Sequence, residues 1–244
     1  MSILMQISDL AIKRGERVLL SGLDCIFHVG EVVVVLGPNG AGKSSLLLAL
    51  AGLIPYSGSM ALHGKKLSEL SRAEHARRIA WQGELPPTEF GLTVEQRLRL
   101  AAEMTGMDIT EAAISMDITA LLEKALGELS SGERQRVELA ALMLRDTPVW
   151  LLDEPTAHLD LKHQVQCLNM FRRQAKQGRA IITVLHDLQQ AASIADRVII
   201  IDGRGGIEYG KAEYMLDIAR LSCLFDTPLL RQGKAILADY GEVD

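Results

Sequence analysis

Cysteine is scarce in this sequence, and its placement argues against two kinds of stabilisation. The 244 residues include three cysteines, Cys25, Cys167 and Cys223. An odd number of widely separated cysteines matches neither a disulfide framework nor the paired spacing of a metal site. We therefore expect three reduced side chains that pack as small hydrophobic residues, as is usual in a reducing cytosol.

The sequence also lacks any long hydrophobic run. A membrane-spanning helix needs about 20 consecutive apolar residues, whereas apolar runs such as Val32–Leu36 and residues 198–201 have only the length of strands. The first ten residues contain no basic segment followed by a cleavable apolar stretch. These absences predict a chain that is neither secreted nor inserted in a membrane, so a partner must hold it there if it serves one.

An excess of basic residues is missing as well. Lysine and arginine number 26 against 31 acidic residues, which gives a formal net charge of −5. Because basic surfaces bind nucleic acids and anionic membranes, we expect no nucleic-acid partner. No internal repeat or linker rich in proline, glycine or serine divides the chain, and its length allows a sizeable core.

Short β-rich runs and helical patterns alternate along most of the chain. Predicted strands cover residues 5–10, 18–20, 24–27, 31–36, 59–62, 79–81, 149–152, 180–185 and 197–201. Predicted helices cover residues 43–51, 161–177 and a segment from Leu188, and a mainly helical stretch extends from about residue 93 to 145. This alternation predicts an α/β fold with a mostly parallel, helix-covered sheet, into which the middle helical stretch is inserted.

A glycine-rich segment follows the predicted strand that ends at Leu36. Residues 37–44, Gly-Pro-Asn-Gly-Ala-Gly-Lys-Ser, satisfy the pattern G-x-x-x-x-G-K-[ST] between a strand and a helix. The glycines let backbone N–H groups turn toward phosphate oxygens, and the helix N-terminus adds positive potential. Lys43 can reach the β- and γ-phosphates of a nucleotide, and the Ser44 hydroxyl can bind Mg²⁺.

Two acidic residues, Asp153 and Glu154, end a later apolar strand. At the carboxyl end of that strand Asp153 can hold Mg²⁺ through water, and Glu154 can orient or deprotonate the water that attacks the γ-phosphate. An apolar strand that ends in acid is common by itself. The pair therefore predicts phosphate chemistry only in combination with the glycine-rich segment.

A third segment identifies the family. Residues 129–136, Leu-Ser-Ser-Gly-Glu-Arg-Gln-Arg, resemble the L-S-G-G-[EQ]-x-Q-R signature of ABC ATPases. Alone they read equally well as a helix cap, but they stand between the two phosphate-binding elements, in the order of that family. Residues 156–160 resemble the D-loop of ABC ATPases, and Leu185-His186-Asp187-Leu188 resembles their switch histidine. The resemblance covers nearly the whole chain.

This resemblance implies a fold and a set of site residues. The implied fold is α/β, a P-loop NTPase with a mostly parallel core sheet, an antiparallel β subdomain and an inserted helical subdomain. One domain would span residues 1–244, with the core at about 1–83 and 147–244 and the helical subdomain at about 84–146. The implied catalytic residues are Lys43, Glu154 and His186. The implied ATP-binding residues are Gly37, Pro38, Asn39, Gly40, Ala41, Gly42, Lys43, Ser44, Ser45, Ser130, Ser131, Gly132, Glu133 and Asp160, and the implied metal-binding residues are Ser44, Asp153, Gln82 and Glu84.

The resemblance also implies partners and cofactors. In ABC ATPases two chains pack head to tail, and each ATP, with Mg²⁺, lies between the phosphate loop of one chain and the signature of the other. This implies a homodimer in which Ser130 and the Gly132 N–H contact the partner's nucleotide.

Several segments narrow the resemblance to importer ATPases for iron-siderophore, haem and cobalamin uptake. They are Arg77-Arg78-Ile79-Ala80, Phe90-Gly91-Leu92-Thr93-Val94, residues 155–164 and Ala195-Asp196-Arg197-Val198. The short helical insertion most resembles that of the cobalamin importer. This implies transmembrane permease subunits docked on residues 81–129, a periplasmic binding protein acting indirectly, and a peripheral position on the cytoplasmic face of the inner membrane.

Three alternatives stay open. The segment from Arg14 to Gly22 resembles the opening of haem-exporter ATPases, although Ala195-Asp196-Arg197 favours the importer. A soluble ABC protein of translation or DNA maintenance carries paired domains or a long coiled-coil insertion, and this sequence shows neither. A degenerate nucleotide-binding regulator is disfavoured because Lys43, Glu154 and His186 are all present.

Three positions depart from the family pattern. Ser131 stands where the signature usually has glycine, and the segment around Arg14 lacks the aromatic residue that stacks on adenine. The Arg14 guanidinium can take that role through a cation–π contact. Counting back from Gly91 places Glu84, rather than Gln82, at the family's permease-sensing glutamine. We therefore predict that Glu84 fills that role beside the magnesium, while Gln82 faces neighbouring strands.

Overall fold

A computed structural model describes residues 2–86, 91–233 and 235–239. Its strands and helices include those that the sequence predicts, in the predicted order. The strands are β1 Ile3–Arg14, β2 Arg17–His28, β3 Val32–Leu36, β4 Ser57–Leu62, β5 Lys65–Lys66, β6 Ile79–Gln82, β7 Val149–Asp153, β8 Ala180–Val184, β9 Arg197–Ile201, β10 Ile207–Lys211, β11 Leu229–Gln232 and β12 Ala235–Ala238. The helices are α1 Lys43–Leu50, α2 Arg72–Ala76, α3 Val94–Ala102, α4 Ile109–Ser115, α5 Ser131–Met143, α6 Leu161–Lys176, α7 Leu188–Ile194, α8 Ala212–Met215 and α9 Ile218–Phe225.

Six strands form a central sheet in the order β10-β9-β3-β8-β7-β6. All of its neighbouring strands run parallel except β10, which pairs antiparallel with β9. Four further strands form an antiparallel sheet in the order β2-β1-β4-β5, and β11 pairs with β12. The predicted parallel core sheet and antiparallel β subdomain are thus confirmed.

Hydrophobic layers cover both faces of the central sheet. Every residue of β3 is buried, as expected for a parallel strand with both faces covered. Alternate side chains separate the two layers: Val33 and Val35 pack with α1 and the antiparallel sheet, whereas Val32 and Val34 pack with α5, α6 and α7. Because apolar side chains cover both faces, polar ligands can reach the central sheet only at its edges.

Between β6 and β7 the described chain is helical, except for an isolated bridge from Thr93 to Ala125. Thr93 caps the first helix of this stretch, where its hydroxyl accepts the Gln96 N–H at 3.2 Å and the Gln96 side chain accepts the Thr93 N–H at 3.0 Å. The start of the helical subdomain near residue 84 stays a prediction, since residues 87–90, including Phe90, lie outside the described residues.

Two expectations differ from the structure. Residues 18–20 and 24–27 were expected as separate strands, but both belong to β2. Turn-forming residues between them are absorbed by shifts in the β1–β2 register, where Asp9 adopts a φ of 49°. The cysteines are all free, but Cys223 is exposed while Cys25 and Cys167 are buried, so only two of them pack as core residues.

No helix in the described part of the chain is long and apolar enough to cross a membrane.

Glu31 ties the start of the central sheet to its neighbouring strand. One of its carboxylate oxygens accepts the His28 N–H at 2.9 Å and contacts His28 Nδ1 at 3.0 Å. The other accepts the Nε–H of Arg197, on β9, at 3.1 Å. Burial raises the pKa of this carboxyl, but the hydrogen bonds from His28 and Arg197 outweigh it and lower the pKa below its ordinary value.

The substitution Glu31→Gln is expected to lower the free energy of unfolding by about 2 kcal/mol near neutral pH, since hydrogen bonds to a charged group contribute about 1.5–3 kcal/mol. A lowered pKa means that the contribution is complete above the unfolded-state pKa of about 4.3 and disappears as the pH falls through the folded-state value. Urea unfolding of both proteins at pH 7 and at decreasing pH measures this. A stability difference that grows as the pH falls below about 4 would contradict the assignment.

Candidate nucleotide-binding and hydrolysis site

The glycine-rich loop closes around the ammonium of Lys43. Lys43 is the first residue of α1, and its Nζ donates to the carbonyl oxygens of Gly37 at 2.8 Å and Pro38 at 3.0 Å. The loop also lies against β9, because a Cβ on Gly37 would stand 2.2 Å from the carbonyl oxygen of Ile201. Only glycine fits there, so the loop can follow the edge of the sheet directly into the helix.

Lys43 is a buried cation facing two acids. Its side chain is buried, and burial lowers the pKa of the ammonium, while the nearby charges of Glu154 and Asp153 act in the opposite direction. A buried charge is tolerated only when it is paired and hydrogen-bonded. The two loop carbonyls and the two carboxylates provide that compensation.

Asp153 ends β7 beside the first turn of α1. Its carboxylate hydrogen-bonds the Ser44 hydroxyl, and burial, aided by the charge of Glu154, raises its pKa above the ordinary value. One carboxylate oxygen, Oδ1, is buried and has no hydrogen-bond partner among the described residues. A buried carboxylate oxygen that makes no hydrogen bond can serve as a ligand for a cation.

Glu154 and His186 contact each other across two strand ends. Glu154 follows β7 and His186 follows β8 by two residues, and His186 Nε2 lies 2.5 Å from Glu154 Oε1. Glu154 has a φ of 51°, a left-handed conformation that is rare outside glycine and costs about 1–3 kcal/mol. This turn directs the Glu154 side chain away from the sheet and into the groove beside Lys43.

These residues surround a groove of about 600 Å³. Most of its lining was predicted from the sequence: Arg14, Asn39, Gly40, Gly42, Lys43, Ser44, Ser45, Glu154 and His186. Four predicted residues lie behind this lining. Lys43 hydrogen-bonds the carbonyls of Gly37 and Pro38, and Ser44 hydrogen-bonds Asp153. The fourth, Ala41, is buried. Larger cavities occur elsewhere, but none of them is lined by the phosphate-loop residues.

Two groove residues, Arg17 and Leu19, were not predicted. Arg17 lies opposite Arg14 at the end of the β1–β2 hairpin, and neither guanidinium has a partner among the described residues. Like charges placed opposite each other destabilise a strand pair, and both arginines are exposed where they line the groove. In the sequence, the short turn between Arg14 and Arg17 was the feature from which Arg17 could have been predicted as a groove residue. Among the described residues the groove lining contains no phenylalanine, tyrosine or tryptophan, in agreement with the departure noted at Arg14.

Gln82 and Glu84 occupy different environments. Gln82 is the last residue of β6, paired with Leu152 next to Asp153, and it is buried with both amide atoms lacking a partner among the described residues. Glu84 is exposed. The prediction gave the metal-side role to Glu84 and had Gln82 face neighbouring strands; the burial of Gln82 and the exposure of Glu84 favour the reverse assignment. A buried, unpaired amide costs about 1–3 kcal/mol, which indicates that Gln82 is placed to meet a ligand.

The donor set fits magnesium better than a transition metal. Within the described residues no group of three His, Cys, Asp or Glu side chains is placed to hold a metal ion. Mg²⁺ is usually bound through one or two carboxylates, while water, neutral oxygens and substrate phosphates complete its shell. Ser44, the unpaired Asp153 oxygen and the unpaired Gln82 amide match that requirement.

The signature segment lies outside the groove. Ser130 caps α5, where its hydroxyl accepts the Glu133 N–H at 3.2 Å and Glu133 Oε2 accepts the Ser130 N–H at 2.8 Å. A Cβ on Gly132 would stand 2.7 Å from the His158 carbonyl oxygen. Asp160 caps α6 and is exposed. None of the four signature residues 130–133 nor Asp160 lines the groove of its own chain.

Related sequences match almost the full chain. The sequence profile described as ABC transporter matches residues 9–157. The hemin import ATP-binding protein of Streptomyces coelicolor is 36% identical over 93% of this chain and 85% of its own length. That of Pseudomonas fluorescens Pf-5 is 36% identical over 94% of this chain and 95% of its own. The achromobactin transport ATP-binding protein of Dickeya dadantii is 33% identical over 89% and 86%.

Solved structures share the fold. An ATP-binding subunit of an ABC transporter has a TM-score of 0.80 at 25% identity and covers 91% of this chain and 98% of its own. An inward-facing transporter assigned to the metal-chelate type has a TM-score of 0.79 at 20% identity, with 97% and 96% coverage; at that identity the likeness concerns the fold. Together with the converging groove residues, these findings show that the chain belongs to the ABC transporter family, as an ATP-hydrolysing subunit.

Proposed function

We propose that the chain binds ATP and Mg²⁺ in the groove at Lys43 and hydrolyses the γ-phosphate to drive import of a metal chelate. The observation that carries this proposal is the convergence of Lys43, Ser44, Asp153, Glu154 and His186, from three strand ends, on one groove. Preorganised charges and hydrogen-bond donors supply most of the catalysis in phosphoryl transfer. The five side chains provide both.

The residues divide the chemistry as follows. Lys43 and the loop N–H groups bind the β- and γ-phosphates, which replace part of the contact between Nζ and the loop carbonyls. Ser44 and Asp153 would hold Mg²⁺, which neutralises phosphate charge when bound. Glu154 orients the attacking water and accepts its proton. His186, in contact with Glu154, holds the carboxylate in position and faces the γ-phosphate.

A second copy of the chain completes the site in this proposal. The signature residues form a helix N-terminus suited to an anion, but they lie outside their own chain's groove. A head-to-tail homodimer places Ser130, Ser131, Gly132 and Glu133 against the partner's nucleotide. Asp160 lies on the same side, since Gly132 packs on His158 of the segment that leads to it.

The helical region is the proposed docking surface for transmembrane permease subunits. Leu100, Met104 and Met107 are exposed, and the two methionines line a cavity of about 440 Å³ together with Arg77 and Arg145. Exposed apolar side chains grouped around a cavity are typical of an interaction site. This surface overlaps the predicted range 81–129 and would place the subunit at the cytoplasmic face of the inner membrane, with a periplasmic binding protein acting through the permease.

The hemin and achromobactin relatives support haem or an iron siderophore as the imported chelate. Cobalamin, suggested by the short helical insertion, stays a prediction. Uptake assays in cells lacking this subunit, with labelled hemin, ferric siderophore and cobalamin, decide among the three. Loss of export with intact uptake of all three would instead support the exporter alternative.

For the magnesium site we now propose Gln82 in place of Glu84. Gln82 is buried, its amide has no partner among the described residues, and it ends β6 beside the strand β7 that carries Asp153. Glu84 is exposed. The amide oxygen of Gln82 is the neutral ligand that can join Ser44 and Asp153 around the metal.

The substitution Glu154→Gln is expected to slow ATP hydrolysis at least about a hundredfold, because it removes the general base while keeping the shape of the side chain. ATP binding should persist, and the trapped nucleotide should hold two chains together. Phosphate release and ATP-dependent gel filtration measure the two effects. Glu213→Gln, on the exposed surface of α8, is the control and should hydrolyse ATP normally. Turnover near the wild-type rate in Glu154→Gln would rule out this base.

Gln82→Ala is expected to raise the Mg²⁺ concentration for half-maximal hydrolysis about fivefold or more, as loss of a metal-ligand contact commonly weakens metal affinity by at least that factor. Glu84→Ala, the matched control two residues away, should leave this concentration nearly unchanged. Titration of hydrolysis with Mg²⁺ at saturating ATP measures both. The opposite pattern would return the role to Glu84.

Ser130→Arg is expected to abolish hydrolysis without affecting ATP binding to the isolated chain, because the signature contacts only the partner's nucleotide. Ser130→Ala, which removes the helix cap and one hydroxyl but adds no bulk or charge, should cost about 1 kcal/mol of stability and retain more activity than Ser130→Arg. A mixture of Ser130→Arg with Lys43→Ala should hydrolyse ATP although neither protein does alone, since one intact phosphate loop then faces one intact signature. Loss of ATP binding by isolated Ser130→Arg would contradict the two-chain site.

A further inference from the structure

The five residues after Glu154 form a strained segment between two catalytically important elements. Glu154 and His158 adopt φ values of 51° and 65°, although neither is glycine. Each left-handed residue is unfavourable, and such residues persist only where surrounding contacts over-determine the backbone. Residues 155–159 lead from Glu154 toward the helix cap Asp160, so their position decides where Glu154 stands.

Three glutamines from three helices bind this segment, and we refer to them as the glutamine clamp. Gln135 of α5 donates to the Pro155 carbonyl at 2.9 Å. Gln190 of α7 accepts the Thr156 hydroxyl at 2.8 Å. Gln164 of α6 donates to the Leu159 carbonyl at 3.1 Å and accepts the Nε2–H of Gln190 at 3.1 Å.

Gln190 holds the central position in the clamp. It and Thr156 are both buried, with 8% of each exposed, so a lost hydrogen bond cannot be replaced freely by water. The Gln190 amide uses its oxygen for Thr156 and its nitrogen for Gln164. With both ends engaged, the amide has one orientation, and it ties α6 and α7 to the segment at the same time.

The clamp also connects the two residues that meet in the groove. The helix α7 begins two residues after His186, so Gln190 lies one helical turn beyond that histidine. Thr156 lies two residues after Glu154. The bond from Thr156 to Gln190 therefore joins the segment after Glu154 to the helix after His186, and the side chains of Glu154 and His186 themselves meet at 2.5 Å.

We propose that Gln190 is a positioning residue for ATP hydrolysis. Through Thr156 it keeps Glu154 in its left-handed conformation and within reach of His186, and through Gln164 it holds the rest of residues 155–159. This role rests on the proposed function of Glu154. A displacement of about 1 Å at a reacting group can reduce a rate by about a hundredfold, so loss of the bond acts on kcat rather than on ATP binding.

The test compares two neighbouring glutamines of the same helix. Gln190→Met keeps the length of the side chain but removes both hydrogen bonds. It is expected to reduce kcat about tenfold or more, with the KM for ATP changed by less than about threefold. Gln189→Met is the control, because Gln189 donates to the Ile236 carbonyl at 3.0 Å, away from the clamp, and it should leave kcat nearly unchanged.

Variants of Thr156 separate positioning from a loss of folding. Thr156→Val removes the hydroxyl at constant shape and should reproduce the kcat loss, while Thr156→Ser retains the hydroxyl and should restore most of the activity. The double variant Gln190→Met with Thr156→Val should be no slower than Gln190→Met alone, because the bond from Thr156 is already absent in that single variant. Thermal unfolding and ATP binding by the isolated chains show whether each variant is folded.

Each outcome has one meaning. An unchanged kcat in folded Gln190→Met, or losses that multiply in the double variant, overturns the positioning role and leaves the proposed function intact, provided that the wild-type protein hydrolyses ATP. If Gln190→Met does not fold, the comparison of Thr156→Val with Thr156→Ser decides, and equal kcat in these two overturns the proposal. A wild-type protein without Mg²⁺-dependent hydrolysis overturns the proposed function and the role of Gln190 together.

Discussion

Parallel pairing of the central strands is the constraint on which the whole site depends. Val184, at the end of β8, pairs with Val35 on one side and with Asp153 on the other. Since neighbouring strands lie about 4.8 Å apart, this register brings the phosphate loop, the acidic pair and His186 to one edge within a few residues of each other. Both faces of the sheet are filled with apolar side chains, so this carboxyl edge is where a polar ligand can approach the strand ends.

Buried polar groups without hydrogen-bond partners collect at this edge, although Trp150, His163 and Arg179 also carry such atoms elsewhere among the described residues. Lys43 is buried between loop carbonyls and carboxylates, while Asp153 Oδ1 and the Gln82 amide are buried without partners among the described residues. Such groups are costly in a folded protein unless a ligand meets them. The opposed arginines at positions 14 and 17 add a like-charge contact to the same groove. The local cost of all these features is concentrated where nucleotide and metal are proposed to bind.

The contacts between Glu154, His158 and their surroundings show how one chain joins two different surfaces. Glu154 faces the groove beside Lys43, whereas Gly132 packs on His158 and so places the signature against the same short segment. The glutamine clamp holds that segment from three helices. Residues 154–158 thus connect the groove, at Glu154, with the signature, at His158.

The local motifs were readable from the sequence because their chemistry depends on short spacing. The phosphate loop between a strand and a helix, the acids that end β7 and the capping residues Thr93 and Ser130 all act through backbone groups within a few positions. The apolar runs of the central strands likewise reveal their burial, since a parallel strand with two covered faces has no polar side. The parallel core and the phosphate loop followed from these local patterns, whereas the antiparallel sheet and the role of His186 were expected from the family resemblance.

Tertiary structure alone decided the features that depend on contacts between distant segments. The choice between Gln82 and Glu84 could not be made by counting positions, because it depends on where β6 ends relative to β7 and on which side chain that register buries. The same holds for the clamp, where Gln190 meets Thr156 and Gln164 across 34 and 26 positions. Residue type and spacing determine which hydrogen bonds a segment can form with itself. The partners of the other buried polar groups come from distant segments, and only the packing of strands and helices brings them together.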